Sequence, residues 1–412
     1  MKAHSIFQSS IRAARCGLAA ALMCGSAVQA DAVTDWNIRT GEIVTASGLG
    51  TPPANRVMAL VHTAAYEAAN AVSRRYPSAT PLPPAPTGAS VEAAIAAAHR
   101  ATLLQLVPSQ RTAIEAAYQQ AISRIAAGSA RDAGVAVGEQ VAAAVVARRT
   151  HDKIVADTYR PHAAPGVYVP TAFPAASQWP QRAGWLMTSP AQFRPAPPPA
   201  LTSERWARDY NEIKLMGSRN STARSKEQTD LALFWEATLP PIYHGMVQCV
   251  TMMPGRDLTR NARLLAVVTQ AIDDAMLAVF DAKYHYAFWR PVTAIRNGDI
   301  DGNDATEADR SWTPLIDTPM HPEYPCAHCV LSATVATILK AELGSSQAPG
   351  WTTTSSSAKG AARRWIDLDA FVEEVNNARV YDGVHYRFST EVGAAMGRQV
   401  GQLAVAKLLG EP

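Results

Sequence analysis

The chain has 412 residues, 48% of them hydrophobic and 18% charged, enough apolar matter for one large domain or two and too much for a disordered chain. Its formal charge of +3 comes from the first 30 residues, where Lys2, Arg12 and Arg15 face no acidic side chain; the remainder carries 35 basic and 35 acidic residues. That balance argues against nucleic acid or a membrane surface as the main partner, since both reward a basic excess, so any anion site has to be local.

Residues 1–30 read as a secretory leader: basic residues, an apolar stretch from Cys16 to Cys24, and the small-x-small ending Val28-Gln29-Ala30. The apolar run is shorter than the roughly 18 residues a membrane span needs, so cleavage after Ala30 is expected, giving a secreted or periplasmic protein with no stable membrane insertion. From Arg56 to Arg149 apolar residues recur at helical spacing and predict four helices, at 56–74, 89–106, 109–127 and 130–149. Packed antiparallel, these form an N-terminal bundle within residues 31–160. Prolines then recur through 161–201, with Trp179 and Trp185 among them, which predicts an extended connecting segment laid over the helices. Helices resume at 202–216, 225–236, 257–288, 328–342, 362–378 and 387–409, within a C-terminal catalytic domain spanning 202–412. No alternating strand pattern stands out, so the predicted fold class is all-α, helical bundles packed together.

Three segments of that second half carry the chemistry. Lys283 and Arg290 are seven residues apart, two helical turns, and so share a helix side, with Pro291 ending or kinking the helix at Arg290. The proline-punctuated run from Thr318 to Cys329 leads into an apolar helix whose first turn aims free backbone N–H groups at Ala327 and His328. In the third segment Arg379 lies near a helix end and His385 six residues on, past Gly383. Three cations, a helix start and two imidazoles suit a site that binds a multiply charged oxyanion and works on it. His62 and His99, on alanine-rich helices, read as packed or surface residues and the tryptophans as core; His244 is a candidate pocket residue.

Taken together, these segments resemble the signature of the vanadium-dependent haloperoxidase and type 2 phosphatidic acid phosphatase (PAP2) superfamily. The signature is a lysine, six residues and Arg-Pro; then Pro-Ser-Gly-His; then Ser-Arg, five residues and His. Here it reads as Lys283 with Arg290-Pro291, Pro325-Cys326-Ala327-His328, and Ala378-Arg379 with His385. The resemblance extends upstream through Pro198 to Ser203, the Gln228 to Trp235 stretch and Asp274, and so covers about residues 160–410. It implies a helical fold and an oxyanion held by Lys283, Arg290, Arg379 and the Ala327 N–H, with His385 as vanadium ligand or phosphorus nucleophile and His328 as acid-base partner. His321, seven residues before His328, stands where the bromoperoxidase branch has a second histidine. The implied activity is oxidation of a halide, bromide ahead of chloride, by hydrogen peroxide with vanadate as the cofactor. The alternative on the same residues is an acid phosphatase needing no cofactor, in which a phosphoester is cleaved through a phosphohistidine.

Cys326 stands where the family has serine and Ala327 where it has glycine. A thiol is a weaker donor than a hydroxyl and is readily oxidised, so Cys326→Ser is expected to raise peroxide tolerance. Cys249, Cys326 and Cys329 permit one disulfide whose pairing the sequence does not fix. A third reading makes Cys326, His328 and Cys329 a small metal site or Cys-x-x-Cys redox module.

Overall fold

A computed structural model describes residues 31–77, 84–149, 159–170 and 172–409; the leader expected at 1–30 lies outside them. Among the described residues are thirteen α-helices and one two-stranded sheet, so the chain is all-α with a small β hairpin added.

The N-terminal half is built from α1 (Ala32–Ala46), α2 (Thr51–Ser73), α3 (Val91–Leu106), α4 (Arg111–Ile122) and α5 (Ser129–Ala147). Helix α2 begins five residues earlier than expected. Pro52 and Pro53 lie in its first turn, where a missing N–H costs nothing, so they open the helix and do not break it. Helix α1 was not anticipated because the face it buries mixes Thr34, Asn37 and Thr40 with Val33, Trp36, Ile43 and Val44. Helix α3 starts on Ser90, whose hydroxyl accepts from Ala93 N–H, and packs on α2 and α5.

The C-terminal half contains α6 (Glu204–Met216), α7 (Lys226–Phe234), α8 (Pro241–Thr251), α9 (Leu258–Tyr286), α10 (Pro291–Arg296), α11 (Ala327–Leu343), α12 (Leu368–Tyr381) and α13 (Arg387–Ala404). The 29-residue α9, capped by Asp257, is the shared wall of the fold: α2 packs on it from one half, α11 and α13 from the other. Helix α13 lies close to α11 because Gly393, Gly397 and Gly401 face it; a Cβ at Gly397 would stand 2.1 Å from the Val330 carbonyl oxygen. Among the described residues no helix is long and apolar enough to cross a membrane.

Buried polar groups hold residues 185–196 against the helices. Asp274 on α9 accepts from the backbone N–H groups of Trp185, Leu186 and Met187 at 2.6, 2.7 and 2.9 Å. Burial pushes its carboxyl up to about 6 despite those three donors. Farther along, Arg194 makes a bidentate pair with Asp281, and Tyr324 donates to the Ala196 carbonyl.

Strands β1 (Gln347–Ser355) and β2 (Ala361–Asp367) pair antiparallel with Trp351 opposite Trp365. They correct the expectation of no strands, and they displace the expected helix start at 362 to Leu368. The signal was weak because the inward residues of β1 are Trp351, Thr353 and Ser355, all buried but only one of them apolar. Thr353 donates to the Ile242 carbonyl and seats the hairpin on α8.

Three fully buried imidazoles, His62, His99 and His244, meet where α2, α3 and α8 converge. Burial pushes His99 and His244 down to about 4 and His62 well below its ordinary value. The folded chain therefore binds fewer protons than the unfolded one below about pH 6.5, and loses stability as pH falls from there towards 4. Urea midpoints by circular dichroism are expected to drop between pH 7 and pH 4.5, less steeply in His99→Gln; equal slopes would remove the cluster as the cause.

Candidate active site

The helix that carries Lys283 ends sooner than expected, at Tyr286, with Ala287 left-handed at φ 45°. Lys283 and Arg290 thus do not share a helix; Arg290 sits at the extended N-cap of α10, with Pro291 in the first helical position. They still converge, because the Ala287–Trp289 turn is clamped by Trp289 N–H on Gly166 O at 3.0 Å and Tyr168 N–H on Ala287 O at 2.7 Å. Behind them lies an aromatic cluster of Trp206, Phe288, Trp289, Tyr386 and Phe388.

Lys283 is completely buried and donates to the carbonyls of Pro322 and Glu323 at 3.0 and 2.7 Å. Burial, then repulsion from Arg290, pulls its ammonium well below the usual lysine range. Arg290, 1% exposed, donates to His321 O at 2.8 Å, Val384 O at 2.9 Å and His321 Nδ1 at 3.0 Å. Its Nη1 stands 3.5 Å from His385 Nε2. A guanidinium only donates, so in that contact His321 Nδ1 is the acceptor; the Pro322 carbonyl also lies 3.2 Å from the same nitrogen. Arg379 on α12 donates to Trp235 O and pairs with Asp382 Oδ2, both at 2.8 Å.

His385 follows Gly383, whose φ of 85° turns the chain and whose missing Cβ makes room for the Gly217 carbonyl oxygen, 2.4 Å from where that atom would be. The Nδ1 of His385 lies 2.8 Å from Glu323 Oε1, which also accepts from Tyr386 N–H at 3.2 Å. A carboxylate on Nδ1 fixes the tautomer and leaves Nε2, the nitrogen nearest Arg290, as the basic one. His328, in the first turn of α11, has Nδ1 2.6 Å from the Tyr243 hydroxyl. Tyr243 stacks on Trp235, which links it to Arg379. Burial holds His328, His385 and His321 well below the ordinary imidazole value, and Lys283 and Arg379 push the first two down further.

Thus Lys283, Arg290, His321, His328, Arg379 and His385 converge, while His244 points away into the N-terminal half. Sequence reasoning missed Glu323, Tyr243 and Asp382. Glu323 lay inside the proline-punctuated run already singled out, and a carboxylate between His321 and His328 was the available signal. Burial raises Glu323 and Asp382 to about 7 each, against the pull of the neighbouring cations.

Lys283, Arg290 and Arg379 stand beside two carboxyls, Glu323 and Asp382, so the site gathers more basic than acidic side chains. Arg379 Nε and His328 Nε2 are buried without a hydrogen-bond partner, and the N–H groups of Ala327 and His328 open a helix, where no intrahelical acceptor exists. The guanidinium and the helix-start N–H groups are donors that fit a tetrahedral oxyanion such as vanadate or phosphate, with His328 Nε2 beside them. Two surface clefts, of about 310 and 300 Å³, lie elsewhere, beside Gln110 and beside Arg263.

Cys326 caps α11 and is disulfide-bonded to Cys329, while Cys249 lies against Gly245 O and Thr352. That settles the pairing and corrects the picture of a thiol at the anion loop. The Cys326 Sγ accepts from Cys329 N–H and has no proton to give an anion. Sulfurs joined to each other are not thiolate ligands, so the metal reading of Cys326, His328 and Cys329 loses its donors. The expected effect of Cys326→Ser also reverses: it liberates the Cys329 thiol beside the anion loop. Peroxide inactivation, followed by residual activity and by oxygen addition to Cys329 in mass spectra, should be faster in Cys326→Ser than in the Cys326→Ser/Cys329→Ser double variant; equal rates would exonerate that sulfur.

Residues 263–410 match the family described as the VCPO second helical-bundle domain. The vanadium chloroperoxidase of Curvularia inaequalis is 30% identical over a stretch covering 28% of this chain and 23% of that protein, so the chain matches less than a quarter of that relative's length. Among solved structures, a bacterial vanadium-dependent iodoperoxidase aligns with a TM-score of 0.74 at 24% identity, covering 92% of this chain and 95% of the other. A holo-type bacterial vanadium-dependent chloroperoxidase aligns at 0.71 and 16% identity, covering 94% and 99%. These two likenesses extend over both halves and concern the fold.

Proposed function

The chain belongs to the vanadium-dependent haloperoxidase and PAP2 superfamily, and from that premise we propose that it is an exported, vanadate-dependent haloperoxidase that oxidises halide, bromide ahead of chloride, with hydrogen peroxide. The carrying observation is the buried cradle, richer in basic than in acidic side chains, with His385 Nε2 at its edge, held in the basic tautomer by Glu323.

Lys283, Arg290, Arg379 and the Ala327 N–H would hold the oxygens of vanadate, and His385 Nε2 would take the metal. Vanadate, when bound, supplies the Lewis acidity that activates peroxide towards a halide. The protein's own groups do the rest. Arg290 spends three donors on His321 and Val384, which locks its guanidinium plane, so further donors reach the anion without reorganisation. Lys283 keeps one of its three protons uncommitted to carbonyls, a compact positive charge in a dry site. His328, neutral because it is buried among cations, can take a proton on Nε2 while Tyr243 fixes its ring. His321, seated on Arg290 and edge-on to Phe280, would be the imidazole beside the halide.

The same cradle accepts phosphate, and a phosphohistidine at His385 Nε2 with His328 as acid would make an acid phosphatase. One paired experiment separates the readings. Bromide oxidation should appear on adding vanadate and peroxide to the purified chain, while phosphoester hydrolysis without vanadate stays near background. The reverse outcome overturns the haloperoxidase assignment. Export rests on the leader, and the mature N-terminus is expected at Asp31; mass spectrometry of secreted or periplasmic protein reads it directly.

A further inference from the structure

We propose that in the reduced chain Cys326 and Cys329 form a second oxidation site, a dithiol that hydrogen peroxide converts into the disulfide capping α11. The site needs neither vanadate nor halide and so stands apart from the haloperoxidase reading. It takes up the Cys-x-x-Cys spacing that the anion chemistry leaves unused.

Both cysteines are completely buried. Cys326 is the extended N-cap of α11, and its Sγ accepts from the Cys329 N–H at 3.2 Å. Burial in apolar surroundings raises a thiol, whereas a helix start, neighbouring cations and a Cys-x-x-Cys spacing lower it and make the thiolate. All three lowering influences meet at Cys326. The helix start is its own, and Arg379 and Lys283 stand close enough to His328, between the two cysteines, to push that imidazole down.

Helix α13 holds the pair in place. The Cys326 N–H donates to Ser389 O at 3.3 Å. A Cβ on Gly393 would stand 2.7 Å from Cys326 O and 3.1 Å from Cys329 Cβ, so the α13 backbone is pressed against both cysteines. Their Cα atoms, 5.4 Å apart, are at bonding distance through backbone contacts that do not depend on the sulfur bond. These contacts assign Cys326, the sulfur that receives the N–H, as the attacking one and Cys329 as the resolving one.

The Cys326 thiolate attacks one peroxide oxygen and the O–O bond breaks. The products are a sulfenic acid and a hydroxide, which takes up the proton the thiol lost and leaves as water. The Cys329 sulfur then attacks the sulfenic sulfur, the S–O bond breaks, and the second oxygen leaves as water with the Cys329 proton. Two thiols lose two electrons and one peroxide gains them. A sulfenic acid with no thiol beside it goes on to sulfinic acid, which peroxide does not reverse; closure by Cys329 stops the sulfur before that step.

The test uses mature chain at pH 7 without vanadate. Wild type reduced by a phosphine in urea and returned to buffer should lose both thiols of the pair to an equivalent of hydrogen peroxide, while Cys249 stays free. Peptide mapping should return the Cys326–Cys329 link and no sulfinic acid. Cys329→Ser carries Cys326 as a free thiol with no reduction step. With peroxide and dimedone, a sulfenic acid trap, it should be labelled at Cys326 at least about tenfold faster than at Cys249. Without dimedone it should proceed to sulfinic acid. Cys326→Ser should be labelled at Cys329 more slowly than Cys329→Ser is at Cys326. The proposal is overturned if Cys326 reacts no faster than Cys249, if Cys329 alone reacts as fast as Cys326 alone, or if peroxide leaves the reduced pair as thiols. Cys329→Ser decides the matter even if the urea-treated chain does not recover its helical circular dichroism.

Discussion

His385→Ala is expected to lower turnover by at least about 10³-fold, the upper part of what a positioned acid-base or ligand group supplies. The reason is local. Among the described residues His385 is the one imidazole whose Nε2 faces Arg290 and whose Nδ1 is tied to a buried carboxyl, and alanine removes the ligand while leaving the cations in place. Vanadate binding by calorimetry should therefore weaken but not vanish, whereas bromide oxidation should. Glu323→Gln is the informative companion. The amide oxygen can still accept from Nδ1–H, but the negative charge that raises the basicity of Nε2 is gone, and losses of about 10- to 100-fold are expected for such supporting groups. Turnover in His385→Ala within tenfold of wild type would defeat the assignment.

Arg290→Met should be the most damaging single change to stability and anion affinity together. It strips partners from two buried carbonyls, His321 O and Val384 O, and from His321 Nδ1. It also leaves Glu323 with less cationic compensation. Removing one member of a buried charged network costs about 3–5 kcal/mol, and vanadate affinity should fall at least about tenfold with the loss of a forked donor. Arg290→Lys should rescue little, because a single ammonium cannot span three acceptors on separate segments. Urea unfolding and vanadate calorimetry on both variants test this; full rescue by lysine would mean that charge alone, and not the fork, is what the site uses.

The parts of this molecule legible in the sequence are those whose signal is local. Alanine-rich helices with apolar residues at helical spacing gave α2, α3 and α5 to within a few residues at most edges. The cations and histidines of the anion site stood at fixed spacings that survive without knowing the fold. What escaped was set by tertiary partners. Helix α1 buries Thr34, Asn37 and Thr40, which look like surface until His244 and Thr251 are placed opposite Asn37 and Thr34. Helix α8 was not among the expected helices: it opens on Pro240 and Pro241, and Pro241 occupies its first helical position. Glu323 and Tyr243 are ordinary residue types whose roles arise from what they touch, 62 and 85 positions away in the chain. Lys283 and Arg290 were correctly grouped for the wrong reason, since a helix end at Tyr286 and a turn clamped to Gly166, not two turns of one helix, bring them together.

The bond between Cys326 and Cys329 bears on how the protein is made. Chain folded in a reducing compartment would carry two thiols where chain folded in an oxidising one carries one cystine, so recombinant batches from the two would differ at the cap of α11. Preparations of identical mass to within two protons would then be chemically distinct enzymes, and comparing their catalytic rates is sound only after the sulfur oxidation state of each batch is known.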